Sequence, residues 1–137
     1  MNAPDLKFVG QVRTTDKYGS GEFGAPRGDH THRGVDIAAA PGSIVLSPVM
    51  GEVTKHGYPY GDDLSFRYIE VTDAKGYRVR LFYIEPMVPV GGKVGIGLQV
   101  GKVQSLQPRY PGITDHVHVE VKTPAGEYIP WDTYSRA

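Results

Sequence analysis

The sequence predicts a single all-β domain, residues 1–137, built mainly from antiparallel strands. Short segments in which apolar and polar residues alternate recur along the middle and end of the chain, and this period of two is typical of strands with one buried face. The 18 glycines and 11 prolines lie between these segments, where turns belong. No window of about 12 residues repeats apolar positions at helical spacing, so we expect no helix.

The strand pattern is clearest in five segments rich in β-branched and aromatic residues: residues 43–49, 51–55, 66–72, 77–84 and 116–122. The third and fourth are separated only by Asp73-Ala74-Lys75-Gly76. A connection of this length with glycine at its end suits a type I turn, so we expect an antiparallel hairpin. Prolines and glycines divide residues 86–102 into very short strands and make residues 106–115 a loop.

Composition excludes several classes of function. The 15 Lys and Arg residues balance the 15 Asp and Glu residues, so we expect no basic surface for nucleic acid or for an anionic membrane. The chain has no cysteine, which excludes disulfides, thiolate metal ligands and a cysteine nucleophile. Any metal ion must therefore be held by histidine and carboxylate side chains.

The cellular location stays open from the sequence. No segment has the run of about 18 apolar residues that a membrane-spanning helix needs, and the first residues show no secretory signal. Action outside the cytoplasm, in the periplasm, in the cell wall or on a phage or secretion particle, would require an export route that these residues do not reveal. The oligomeric state is not predicted either.

Two histidine clusters, 84 positions apart, are the candidates for chemistry. The first is His32-Arg33-Gly34-Val35-Asp36 and the second is His116-Val117-His118. Alternation along a strand puts His116, His118 and Glu120 on one face. Residues two apart on a strand are about 6.5 to 7 Å apart at Cα. One imidazole can therefore bind a metal ion while the other stands beside the open position of that ion.

The count of ligands favours zinc. Catalytic zinc sites use three protein ligands and a water molecule, and His32, Asp36 and one histidine of the second cluster would complete that set. An isolated His-x-His on a strand is also common as a surface pair or a hydrogen-bonded pair. The residues alone leave both interpretations open.

In these motifs the chain resembles the LytM/lysostaphin-type family of zinc metallopeptidases. The resemblance runs in order through residues 20–122, on Gly21-Glu22-Phe23-Gly24, His32-Arg33-Gly34-Val35-Asp36-Ile37, Pro41-Gly42, Val45, Pro48, Gly51-Glu52-Val53 and His116-Val117-His118-Val119-Glu120-Val121. It implies an antiparallel β-sheet fold with an open groove, of the duplicated-hybrid-motif type. It also implies a hydrolase that cuts peptide crosslinks in bacterial peptidoglycan.

The resemblance implies a role for each motif residue. His32, Asp36 and His118 match the ligands of one Zn²⁺ ion. His116 matches the histidine that handles a proton beside the metal. The implied partner is a peptidoglycan peptide or another peptide substrate.

One histidine of the family has no counterpart. The family usually carries it in a Tyr-x-His-Leu segment, where this chain reads Leu81-Phe82-Tyr83-Ile84, so its position falls on Tyr83 or Ile84. We expect Tyr83 to donate a hydrogen bond to the oxyanion, although alternation alone groups it with Val79 and Leu81 at the edge of the core. This segment and residues 107–113 resemble the leukocyte cell-derived chemotaxin-like branch of the family.

The sequence therefore supports two functions. One is a peptidoglycan endopeptidase whose activity is reduced by the missing histidine. The other is an inactive, zinc-stabilised module that binds a peptide or protein, and either could be mounted on a phage or secretion particle. His56 is a candidate to replace the missing histidine. Glu120 either orients one of the paired histidines or forms a salt bridge at the rim of the site.

Overall fold

The computed structural model describes residues 26–27, 30–31 and 33–135. Over these ranges the protein is almost entirely antiparallel β-structure, which confirms the predicted fold class. The strands are β1 (Pro26–Arg27), β2 (His30–Thr31), β3 (Val35–Ala38), β4 (Ile44–Leu46), β5 (Gly51–Gly57), β6 (Tyr68–Thr72), β7 (Arg78–Phe82), β8 (Ile84–Pro86), β9 (Lys93–Val94), β10 (Gln99–Val103), β11 (His116–Lys122) and β12 (Tyr128–Ile129).

A short helix, α1 (Trp131–Ser135), follows β12 and departs from the expectation of no helix. Its five residues make little more than one turn, which is too short to show helical periodicity in a sequence. Among the described residues, no helix is long and apolar enough to span a membrane.

The largest sheet brings the two histidine clusters together. Its strands run in the order β12-β11-β7-β6-β5-β9, and β3 also pairs with β11. Strand β11 thus has β7 along one edge and both β3 and β12 along the other. The register sets His118 opposite Asp36 on one side and opposite Phe82 on the other.

Alternation along β11 puts the candidate site residues on one side of the strand and the core residues on the other, as the sequence predicts. The three valines of this strand are at most 2% exposed and belong to the main apolar core. The other side of β11 carries His116, His118 and Glu120. Both histidines contact Asp36, and His118 also contacts Glu120. We call this side of the sheet the histidine face.

The hairpin predicted at residues 73–76 is present and joins β6 to β7. The Gly76 amide donates to the Asp73 carbonyl at 3.1 Å, and Gly76 has a φ of +88°, which glycine adopts without strain. The Asp73 carboxylate closes the turn by accepting two backbone N–H bonds. This turn fixes the register in which Glu70 lies opposite Arg80.

A smaller three-stranded sheet, in the order β4-β10-β8, adds apolar side chains to the same core. The predicted strand 77–84 does not continue into it unbroken, because β7 ends at Phe82 and β8 begins at Ile84. Tyr83 lies between them with a φ of +69°, a conformation that residues other than glycine rarely adopt. Ile84 is fully buried and pairs with Val103.

Candidate functional site

A buried aspartate lies between two histidines where β3 meets β11. Asp36 is 2% exposed. Its Oδ1 is 2.8 Å from Nδ1 of His118, and its Oδ2 is 3.4 Å from Nε2 of His116. The sheet register creates this arrangement, because Asp36 pairs with His118 and His116, two residues earlier, faces the same side. The structure therefore brings together two of the predicted zinc ligands, Asp36 and His118, and the predicted proton carrier, His116.

Gly34 allows the chain before β3 to approach this group closely. A Cβ at this position would lie 2.2 Å from the Val119 carbonyl oxygen and 2.9 Å from ring atoms of His118. Both separations are far inside van der Waals contact, so a larger residue must displace the backbone or the imidazole. The glycine of the first motif is thus required for space.

His116 is held by the segment that precedes β11. Its Nδ1 is 2.7 Å from the Thr114 carbonyl oxygen and donates to it, since a carbonyl only accepts. In the neutral ring this bond fixes the tautomer, so that Nε2, the nitrogen facing Asp36, is the basic one. The ring is 4% exposed, and its orientation suits proton transfer at Nε2.

Glu120 orients His118 from the far side of the ring. Its Oε1 is 2.9 Å from Nε2 of His118, so the imidazole bridges two carboxylates. Burial lowers the pKa of His118, but hydrogen bonds to Asp36 and Glu120 and the charges of both outweigh burial and raise the pKa to about 9. The same negative surroundings favour a cation beside Nδ1. Glu120 therefore makes both of the contacts expected for it, one to His118 and one to the charged group of Arg80.

Charged side chains continue across the histidine face beyond Glu120. Arg80 places Nη1 3.8 Å from Oε2 of Glu120 and donates from Nε to Oε2 of Glu70 at 2.8 Å. Glu70 also accepts from the Thr54 hydroxyl at 2.8 Å. Neither Arg80 nor Glu70 stands in a recognisable motif, and neither was among the residues predicted for the site. The signal was nevertheless available, because the predicted hairpin and strand alternation place these two residues side by side.

Tyr83, and not Ile84, stands beside His116. The centroids of the two rings are 5.5 Å apart and the ring planes are nearly perpendicular. The positive φ interrupts alternation, so the expectation that Tyr83 lies at the core edge with Val79 and Leu81 is wrong. Tyr83 instead packs against a second apolar cluster formed by Phe66, Leu106 and Ile113.

The Tyr83 hydroxyl belongs to a group of three hydrogen-bonded phenols, the tyrosine cluster. The hydroxyl of Tyr60 is 3.0 Å from that of Tyr83 and 2.8 Å from that of Tyr110. Burial raises the pKa of Tyr83 to about 12, with a smaller contribution from Asp36 and against the lowering effect of the bond to Tyr60. Tyr83 is therefore protonated near neutral pH and available as a hydrogen-bond donor. Sequence periodicity carries no signal for this cluster, whose members come from separate loops.

His56 does not replace the missing histidine. It lies on β5 opposite Ile69, which in turn pairs with Leu81, and cross-strand partners share one face of a sheet. That face is the core side, opposite to His118. Its Nε2 is 2.7 Å from the Val88 carbonyl oxygen, so the prediction that His56 serves the site is wrong.

The donor atoms brought together suit zinc. Two ligand atoms about 2.0 to 2.2 Å from one zinc ion, in tetrahedral geometry, lie about 3.3 to 3.5 Å apart. The 2.8 Å between Asp36 Oδ1 and His118 Nδ1 is slightly shorter than that separation, so a small outward movement of the two side chains would admit the ion. His32, the third predicted ligand, lies outside the described residues. Among the residues that the structure describes, no three His, Asp or Glu side chains form a group able to hold a metal ion.

Comparison with known proteins places the chain in a family. A model of Peptidase family M23 matches residues 30–130. Leukocyte cell-derived chemotaxin-2 of Mus musculus is 35% identical over 114 residues, which cover 83% of this chain and 75% of that protein. Myeloid protein 1 of Gallus gallus is 34% identical over 119 residues, covering 80% of this chain and 34% of that protein. The resemblance to the chemotaxin-like branch is thus confirmed.

Solved structures share the fold. The catalytic domain of the prophage-encoded M23 protein EnpA from Enterococcus faecalis has a TM-score of 0.65 at 24% identity, covering 93% of this chain and 97% of that chain. Lysostaphin from Staphylococcus simulans has a TM-score of 0.65 at 21% identity, covering 90% and 46%. Because the family model and the curated relatives agree with the ordered motifs around Asp36 and His118, the chain belongs to Peptidase family M23.

Proposed function

We propose that this M23 protein is a zinc-dependent hydrolase that cuts peptide crosslinks of bacterial peptidoglycan, at a rate reduced by the absence of one histidine. The observation that carries the proposal is the buried Asp36 carboxylate between His118 and His116. A carboxylate and imidazoles converging at one point form the donor chemistry of catalytic zinc sites. The family and the fold shared with lysostaphin support a peptidase.

Three side chains would hold the ion: His32, Asp36 and His118, whose Nδ1 faces the Asp36 carboxylate. Glu120 keeps the His118 ring in place by accepting from Nε2, and such partners of a ligand fix both its tautomer and its direction. When bound, zinc lowers the pKa of a coordinated water to about 7 and polarises a substrate carbonyl.

His116 moves the proton in this proposal. Its Nδ1–H is committed to the Thr114 carbonyl. Nε2 would therefore accept a proton from the attacking water on the side of Asp36, and deliver it to the amine nitrogen when the peptide C–N bond breaks. Tyr83 donates a hydrogen bond to the oxyanion from its protonated hydroxyl. Because that hydroxyl has a pKa of about 12, it does not replace a second imidazole near neutral pH. We therefore expect slow hydrolysis.

A second function is favoured by the same tyrosine. Tyr83 faces His116 where the family usually has a second histidine, and among the described residues His116 is the one imidazole placed for proton transfer. One such group typically contributes about 10² to 10⁴ in rate. In this alternative the zinc ion is structural, and the site binds a peptide or protein without cutting it. The identity to proteins named chemotaxin-2 is in keeping with such a module.

Digestion of purified peptidoglycan separates the two functions. The wild-type protein, the His116→Ala variant and a His56→Ala control are each incubated with zinc and after chelation, and released amines and muropeptides are measured. We expect the wild type and the control to cleave crosslinks with zinc, and the His116→Ala variant and chelated samples to lose cleavage. The control is matched because His56 lies on the core side of the sheet.

Two other results would contradict this proposal, the first in its activity and the second in its mechanism. Saturable binding to peptidoglycan without release of new termini would favour the binding module. Cleavage that is unchanged in the His116→Ala variant would remove the proton-transfer role assigned to that histidine.

A further inference from the structure

The histidine face carries a continuous row of charged side chains that is longer than the candidate metal site needs. The row starts at Asp36 on β3 and crosses β11, β7 and β6. Beyond His118 the charges of neighbouring side chains alternate between negative and positive, in the order Glu120, Arg80 and Glu70. The known motifs of the sequence include none of the residues beyond Glu120.

Arg80 is placed to fix the Glu120 carboxylate. Glu120 offers Oε1 to His118 at 2.9 Å, while Oε2 is 3.8 Å from Nη1 of Arg80. At 3.8 Å this contact is an attraction between charges and not a hydrogen bond, and it favours the carboxylate orientation in which Oε1 meets Nε2 of His118. The cross-strand register supports the contact, since Glu120 and Arg80 are direct pairing partners.

Glu70 in turn holds Arg80. It accepts from Nε of Arg80 at 2.8 Å and from the Thr54 hydroxyl at 2.8 Å, and Thr54 lies 2.8 Å from the Thr72 hydroxyl. Both acids are nearly buried, with Glu70 6% and Glu120 7% exposed. The row therefore ends in a neutral hydroxyl pair on β5 and β6, which anchors it to the sheet.

Stability alone is a weak reason for such a row. Partly buried ion pairs often contribute little net stability, because the cost of removing charges from water offsets their attraction. Geometry is the better reason, since an imidazole ligand is oriented by what its second nitrogen contacts. Here that contact is Glu120, and Glu120 is itself held from the side away from His118.

We propose that Arg80 and Glu70 are positioning residues that act through Glu120 to set the direction of the His118 ring toward the metal ion. The inference rests on the proposed function only in that His118 binds a metal. It assigns to β6 and β7, which contain none of the predicted ligands, a share in metal affinity.

The test is the affinity of the purified protein for Zn²⁺, measured by competition with a chromophoric chelator, for the wild type and four variants. Arg80→Met removes the charge while retaining length, Arg80→Lys retains the charge but not the planar fork, and Glu70→Gln removes the anchor. Arg78→Met is the control, because Arg78 lies on the same strand but pairs with Lys122 and not with Glu120.

We expect Arg80→Met and Glu70→Gln to weaken zinc binding about 3- to 10-fold, below the 10- to 100-fold typical of direct partners of a ligand. Arg80→Lys should fall between Arg80→Met and the wild type, and the control should match the wild type. The visible absorption of the Co²⁺-loaded protein provides a second readout. Its band positions should shift in Arg80→Met, a change that a loss of global stability alone does not produce.

Circular dichroism confirms that each variant is folded, and if Arg80→Met does not fold, the isosteric Glu70→Gln carries the test. Zinc affinity and cobalt spectra equal to those of the control would overturn the positioning role while leaving the proposed metal site intact. A wild-type protein that binds no Zn²⁺ would overturn the metal site itself, and the positioning role with it.

Discussion

The backbone conformation of Tyr83 places its side chain beside His116. Its φ of +69° costs a residue other than glycine of order 1 kcal/mol, and its neighbours hold it there. The Tyr83 amide donates to the Arg67 carbonyl at 2.7 Å, and its carbonyl accepts from the Gln104 amide at 2.9 Å. The left-handed turn brings a residue to the histidine face from a position that alternation assigns to the core.

Substitution of Tyr83 by histidine is expected to raise the rate of crosslink hydrolysis at least about tenfold, since a general acid or base typically contributes about 10² to 10⁴. Imidazole transfers protons near neutral pH and phenol does not. Histidine is also among the residues that tolerate positive φ. The measurement is the initial rate of peptidoglycan digestion at pH 7 with saturating zinc.

Tyr83→Phe is the matched control for that experiment. It retains the ring and its packing against the second apolar cluster but loses the hydroxyl that bonds to Tyr60. We expect it to be no faster than the wild type. If the histidine and phenylalanine variants hydrolysed peptidoglycan equally fast, position 83 would have no part in proton transfer.

Gly34→Ala is expected to destabilise the fold by about 1 to 3 kcal/mol, the usual cost of overpacking, and to weaken zinc binding. The added Cβ would lie 2.2 Å from a backbone oxygen and 2.9 Å from the His118 ring. Gly61→Ala is the control, because nothing lies within 4 Å of a Cβ there. Urea denaturation and zinc titration of both variants provide the comparison, and equal losses in the two would show that Gly34 has no special role.

The strands differ in how far the sequence predicts them. Strand β11 was predicted to the residue at 116–122, because seven alternating residues give a full pattern. Strand β5 runs on to Gly57, beyond the predicted end at Lys55, since a register shift between Val53 and Lys55 interrupts its period of two. The break between β7 and β8 has no signal in composition, because the residue that turns the chain is tyrosine and not glycine.

The pairing of β6 with β7 places Glu70 beside Arg80, and we expect this contact to make the stability of the fold depend on pH. Burial raises the pKa of Glu70, but hydrogen bonds from Arg80 and Thr54 outweigh it, so the folded pKa lies below the ordinary 4.5. A lowered folded pKa means that Glu70 stabilises the fold above its unfolded pKa and ceases to do so as the pH falls through the folded value. We expect Glu70→Gln to lose about 1 to 3 kcal/mol at pH 7.

The loss caused by Glu70→Gln should shrink as the pH falls below about 4.5, where Glu70 begins to be protonated in the unfolded chain. Urea denaturation of both proteins at pH 7, 5, 4 and 3 measures this. Glu85→Gln is the control, since Glu85 is exposed on β8, and its difference from the wild type should be small at every pH. A Glu70 effect that does not change with pH would contradict the charged hydrogen bonds described here.

Over the whole molecule, local patterns predict the fold class, and the ordered motifs predict which clusters meet. Asp36 and His118 are 82 residues apart, and no periodicity predicts that they meet. The count of possible zinc ligands raised that interpretation, and the family resemblance assigned it to these two residues. The tyrosine cluster was beyond prediction, because a contact between Tyr60 and Tyr110 spans 50 residues of loop and short strand. The charged row could have been predicted, because the hairpin register and strand alternation are enough to place its members side by side.

The central claim is that Asp36 and His118, with His32, hold one zinc ion. Elemental analysis after reloading with excess zinc and exhaustive dialysis tests it most directly. We predict about one zinc per chain for the wild type and for His56→Ala, whose histidine faces the core side, and near zero for His118→Ala and Asp36→Ala. A wild-type protein that retains no zinc, or a His118→Ala variant that retains as much as the wild type, would contradict the account.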